Sequence, residues 1–150
     1  MKTTVRIAAL AVAALTPLAA SAQTCKPVNG HFEATVLPAA QCDAAPPLIC
    51  TSGRVWGGIQ GTYEFTMSAA APAELLGGAP GSLFFGGQSA IALKDGTAVG
   101  GTDTGTIDLF VHGGFASLIS FHTGAGGQIR LRGQLEGNVT RGDYVGTLCR

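Results

Sequence analysis

A chain of 150 residues with nine Lys+Arg against nine Asp+Glu, and only 12% charged residues in all, has no basic stripe for nucleic acid. Its 46% hydrophobic content and balanced charge also argue against disorder. The length allows one domain with a modest core and excludes two of ordinary size.

The first residues, Met1-Lys2-Thr3-Thr4-Val5-Arg6, carry two basic side chains and lead into a small apolar run from Ile7 to Leu15, which Thr16-Pro17 interrupts. Ala20-Ser21-Ala22 then places small side chains where a signal peptidase must accommodate them. Residues 1–22 therefore read as a secretory signal, with a mature start expected at Gln23. The run is shorter than the roughly 18 residues of a membrane anchor, so no transmembrane segment is expected after cleavage. Lys2 and Arg6 would leave with the signal, so residues 23–150 would hold seven Lys+Arg against nine Asp+Glu, a formal charge of −2. The signal has bacterial character, which points to the periplasm or the exterior.

Cys25, Cys42, Cys50 and Cys149 all survive cleavage, and an even count in an exported chain predicts two disulfides. Three pairings are possible. The favoured one joins Cys42–Cys50 across a short Pro-containing loop and Cys25–Cys149 across the chain ends. No CxxC or HxxxH spacing supports zinc instead.

Along the mature chain, alternation with a period of two dominates. His31–Val36 puts Phe32, Ala34 and Val36 on one face, and Thr62–Met67 does the same with Tyr63, Phe65 and Met67. A strand is expected at about 54–58 between them. The Ala-rich piece 69–76 has the longest helical spacing, interrupted by Pro72. Strands follow at about 83–93, 104–112 and 115–123. Ile129–Glu136 is the clearest of all, with Ile129, Leu131 and Leu135 dry and Arg130, Arg132, Gln134 and Glu136 wet. A last strand is expected at 143–148.

Turn signals stand at Asp95-Gly96, Gly113-Gly114, Gly124 to Gly127 and Arg141-Gly142. Seven or eight short antiparallel strands with brief connections predict an all-β fold, a small barrel or alternatively a β-sandwich. Glycines within strands, at positions such as Gly57, Gly58, Gly61, Gly86, Gly87, Gly133 and Gly146, favour the barrel, because a small closed sheet must coil sharply.

The glycine-punctuated stretches Gly53-Arg54-Val55-Trp56-Gly57-Gly58-Ile59-Gln60-Gly61-Thr62-Tyr63-Glu64-Phe65, Thr104-Gly105-Thr106-Ile107-Asp108 and Gly126 to Gly133 resemble secreted bacterial proteins with an allene oxide cyclase-like barrel. The resemblance spans roughly residues 53–148 and rests on glycine and hydrophobic spacing. It implies an eight-stranded antiparallel barrel and brings no catalytic residue to this chain.

Standard chemical motifs fail. Gly87-Gln88-Ser89-Ala90-Ile91 has Ile91 where a nucleophile elbow needs glycine, and the dinucleotide-loop start at Gly124 meets Ile129 where its third glycine belongs. No cofactor is expected. Three scattered histidines make a metal site a poor fit, and Asn138-Val139-Thr140 is a chance sequon in a bacterial-type chain. Trp56 is expected in the core or as a barrel-end plug.

One constellation invites geometry, the hairpin 105–112/115–122 turning at Gly113-Gly114. That register sets His112 opposite Phe115, Phe110 opposite Ser117, Asp108 opposite Ile119 and Thr106 opposite Phe121. If this face lines the barrel interior, Asp108, Phe110, His112, Phe115 and Phe121 form an aromatic pocket with an acid and an imidazole. In the competing reading, which residue type favours, Asp108 and His112 are wet rim residues and the aliphatic face is the core. Three functions follow: a non-enzymatic exported barrel that binds a small apolar ligand or serves as an interaction module, a barrel isomerase or cyclase acting on a hydrophobic substrate, and a structural assembly protein of the envelope.

Overall fold

A computed structural model describes residues 24–42, 48–108, 113–124 and 126–149. Eight strands run in chain order: β1 Cys25–Val36, β2 Cys50–Gly57, β3 Gly61–Pro72, β4 Ser82–Leu93, β5 Ala98–Asp108, β6 Gly114–Thr123, β7 Gly126–Glu136 and β8 Val139–Cys149. Each pairs antiparallel with the next, and β8 returns to β1 along Cys25↔Cys149 through Thr35↔Val139, so the sheet is a closed barrel rather than a sandwich. Closure removes the sheet edges that would otherwise invite pairing with other chains. Both disulfides pair as expected, Cys25–Cys149 and Cys42–Cys50, and none of the cysteines is free. No helix among the described residues is long and apolar enough to cross a membrane.

Alternation decides the two surfaces. Phe32, Ile91, Ile119, Ile129 and Leu131 are the largest apolar side chains wholly enclosed in the barrel, while Arg130 and Arg132 face water. The end carrying the β2–β3, β4–β5 and β6–β7 connections is filled by Ile59, Leu93, Val99, Phe121 and Leu148. There the Tyr144 hydroxyl accepts from the Ile59 N–H at 2.7 Å and lies 3.3 Å from the carbonyls of Trp56 and Ile59, which ties the β2–β3 connection down over the core. Burial raises the Tyr144 phenol pKa.

Several sequence expectations need correction. β3 continues through the Ala-rich piece to Pro72 before a 3-10 turn at Ala73–Leu76, since Pro72 ends strand pairing but suits a turn's first position. Arg141-Gly142 lies inside β8, and the β7–β8 turn falls at Gly137-Asn138, where Gly137 has φ of 63°. Trp56 is not in the core: Val55 takes the inward position, so Trp56 points out, 38% exposed, with the Arg54 guanidinium 5.1 Å from its ring centre.

The largest correction concerns the β5–β6 hairpin. Gly114 begins β6 instead of completing a two-residue turn, and β5 pairs with β6 in another register. Asp103, not Asp108, stands opposite Ile119, and Gly101, not Thr106, opposite Phe121. This slip of five residues is odd, so it exchanges the two faces of β5 relative to β6, and on β6 the enclosed face is the one with Ser117, Ile119 and Phe121, not the aliphatic face that residue type favoured.

Candidate ligand-binding site

The end of the barrel opposite the Tyr144 plug is not filled by any of the described residues. A cavity of about 420 Å³ opens there among the ends of the strands, walled by Phe32, Phe65, Phe85 and Phe115 with Met67, Leu83, Ile107 and Leu135. The rings brace one another edge-on, Phe65 against Phe85 at 5.7 Å and Phe32 against Phe115 at 5.8 Å. Two glycines make this wall possible. A Cβ at Gly87 would sit 2.6 Å from the Phe65 ring, and one at Gly105 would sit 2.7 Å from the Phe85 ring, so side chains on these positions would push the aromatics out of place.

At the inner end of this apolar space lies one acid. Asp103 occupies the middle of β5 with its side chain turned inward, flanked on its own strand by Gly101 and Gly105 and paired across to Gly87 and Ile119. It is 1% exposed. The Ser89 hydroxyl donates to its Oδ2 at 2.9 Å, and the Tyr63 hydroxyl donates to the same oxygen at 3.4 Å. Oδ1 has no partner within hydrogen-bonding geometry.

Burial raises the Asp103 pKa from its ordinary value of 3.8, against the smaller opposing pull of the Ser89, Ser117 and Tyr63 hydroxyls. Burial likewise pushes the Tyr63 phenol upward, and the Asp103 charge reinforces it. Among the described residues, none of the side chains lining the cavity is a lysine, arginine or histidine that could neutralise a carboxylate. The site is thus an apolar chamber whose polar base is the Asp103 carboxyl with the Ser89, Tyr63 and Ser117 hydroxyls, and among the described residues its unpaired buried oxygen is Oδ1 of Asp103.

Of the residues expected at a pocket, Phe115 lines the cavity. Phe121 is buried, but in the filled end of the core. Asp108 pairs with Ser82 and, by the alternation of β5, faces away from the chamber, on a shallow outer recess with Thr106 and Arg132. Phe110 and His112 lie outside the described residues. Asp103 was not among the expected residues; the alternation Val99, Gly101, Asp103, Gly105, Ile107 is the signal that locates it, since small and apolar residues bracket an acid on one face.

His31 and His122 are both exposed on the outer wall. His31 pairs with Asp143 beside Trp56, and His122 lies near the Ser120 carbonyl. Among the described residues no three His, Cys, Asp or Glu side chains converge as a metal site would require. Compared with protein-family models, curated proteins and solved structures, the chain matches none.

Proposed function

We propose that this protein is an exported β-barrel that binds a small apolar molecule inside the barrel. The observation that carries this reading is the chamber of about 420 Å³, lined by aromatic and aliphatic side chains. Its volume falls in the usual range for small-molecule sites, which are mostly apolar with a few placed polar groups. A chain that needed only a stable core would gain by filling such a space, because a cavity forfeits contacts on every side. An allene oxide cyclase-like barrel is the fold relationship we propose, supported by the closed eight-stranded antiparallel order.

Binding is tested with the neutral fluorophore N-phenyl-1-naphthylamine and the disulfide-bonded protein. A saturable, one-to-one rise in fluorescence is expected. Met67→Trp, which puts an indole into the chamber, should weaken it at least about tenfold by removing the space the probe needs. Absent saturation, or an unaltered affinity in the variant, overturns the assignment.

Export rests on the tripartite order of residues 1–22 and is supported by two disulfides, which persist in a non-reducing compartment. The intact mass of the protein recovered from the periplasm or medium of a bacterial host should correspond to a chain starting at Gln23. A chain that keeps Met1 in the cytoplasm overturns this part of the reading.

A further inference from the structure

Granting that the chamber binds an apolar molecule, we propose that Asp103 selects ligands by their inner end, receiving a neutral hydrogen-bond acceptor such as a ketone, ether or alcohol oxygen on Oδ1. The geometry distinguishes the two carboxyl oxygens. Oδ2 already accepts the Ser89 and Tyr63 hydroxyls, whereas Oδ1 is buried without a partner in a residue that lines the chamber. An orphaned buried oxygen is costly, and the cost is relieved when a ligand supplies the missing partner.

The form of the acid sets which partner fits. With no cation among the described lining side chains, desolvation favours the neutral carboxylic acid. Oδ2 is occupied as an acceptor, so the proton belongs on Oδ1, where the neutral acid is a donor with no protein partner. A ketone or ether oxygen accepts that proton in a hydrogen bond without any charge being buried. A carboxylate-headed molecule would have to bring an unpaired anion into the same dry space, which is far more costly. An alkane would fill the chamber but leave Oδ1 as it is. A site built around one hydrogen bond discriminates strongly against ligands that cannot make it.

Four ten-carbon ligands that differ only at one end separate these cases: butylbenzene, 4-phenyl-2-butanone, 4-phenylbutanoate and 4-phenylbutylamine. Each is titrated as a competitor of N-phenyl-1-naphthylamine against the wild-type protein and against Asp103→Leu and Asp103→Asn, with near-ultraviolet circular dichroism confirming the fold of each. The ketone should bind the wild type about tenfold more tightly than butylbenzene, the equivalent of about 1.4 kcal/mol, and the carboxylate most weakly. Asp103→Leu should erase the ketone's advantage while keeping butylbenzene binding. Asp103→Asn, whose amide can donate to the same oxygen, should retain most of it.

Saturable binding with butylbenzene equal to the ketone overturns the role of Asp103 while the chamber reading stands. An amine tenfold tighter than the ketone overturns it in favour of an ionised acid that pairs with cations. Failure of every competitor and of the fluorophore removes both readings together.

Discussion

Replacing Cys25 and Cys149 together with alanine is expected to lower the stability of the barrel by about 5 kcal/mol, against about 2.5 kcal/mol for the same change at Cys42 and Cys50, in the loop-entropy model. The two bridges differ mainly in what they close. Cys25 and Cys149 stand 124 residues apart, and Cys42 and Cys50 only eight. A bridge across the longer loop removes more freedom from the unfolded chain. Its place in the fold adds to this, because Cys25↔Cys149 is the outermost register pair of the β1–β8 seam, the one pairing that turns an open sheet into a barrel. Alanine is the better probe than serine, since Cys149 and Cys50 are both buried and a hydroxyl there would need a partner. Thermal unfolding should show a fall in Tm on the order of 15 °C for the seam variant, roughly twice that of the other. If the Cys42/Cys50 variant loses more, the seam is held by its ladder alone and the loop model fails here.

That bridge was legible in the sequence, because four cysteines allow only three pairings and the short Cys42–Cys50 loop leaves Cys25 for Cys149. The all-β class was legible for a different reason: side chains on strands such as Ile129–Glu136 alternate cleanly between apolar and charged. Register was harder. Gly113-Gly114 has the composition of a two-residue hairpin turn, and nothing local to it reports that Gly114 is already paired with Gln134 of β7. Tertiary pairing overrode the turn signal, and a five-residue slip was enough to invert β5. Arg141-Gly142 misled in the same way, since Gly142 pairs with Phe32 and Gly133 within the sheet.

The candidate site suffered most from this. On β6 residue type favoured the aliphatic face as core, yet Ser117, Ile119 and Phe121 are the buried set; on β5 the acid weighed for a pocket was Asp108, and the acid enclosed is Asp103. Residue type works against Asp103 as well. It stands between Thr102 and Thr104, and a polar tripeptide next to glycines reads as surface. Only its phase with Val99 and Ile107 shows otherwise, and that phase is visible only once β5 is known to begin at Ala98.

Asp103→Asn is expected to stabilise the protein increasingly as pH rises, reaching about 2 kcal/mol or more at pH 8, the scale of a buried acceptor that loses its proton without gaining a partner. The folded chain holds the Asp103 proton more tightly than the unfolded chain, because burial raises the folded pKa above 3.8. Below that ordinary value both states are protonated and the contribution of this acid is fully favourable. As pH rises toward the folded value the unfolded state releases its proton first, so stability drains away. Asparagine keeps the size of the side chain and can still accept from Ser89 and Tyr63, but has no proton to lose. Glu33 runs the other way, its pKa lowered chiefly by its hydrogen bond with Arg141, and it is common to both proteins, so it cancels in the difference. Urea unfolding of wild type and Asp103→Asn between pH 4 and pH 8 reads that difference directly. A gap that does not widen with pH would mean that the acid is paired or hydrated in solution. A gap that widens would show that this chain retains, at the base of its apolar chamber, a residue that weakens the fold, which is the expected mark of a group kept for what it binds.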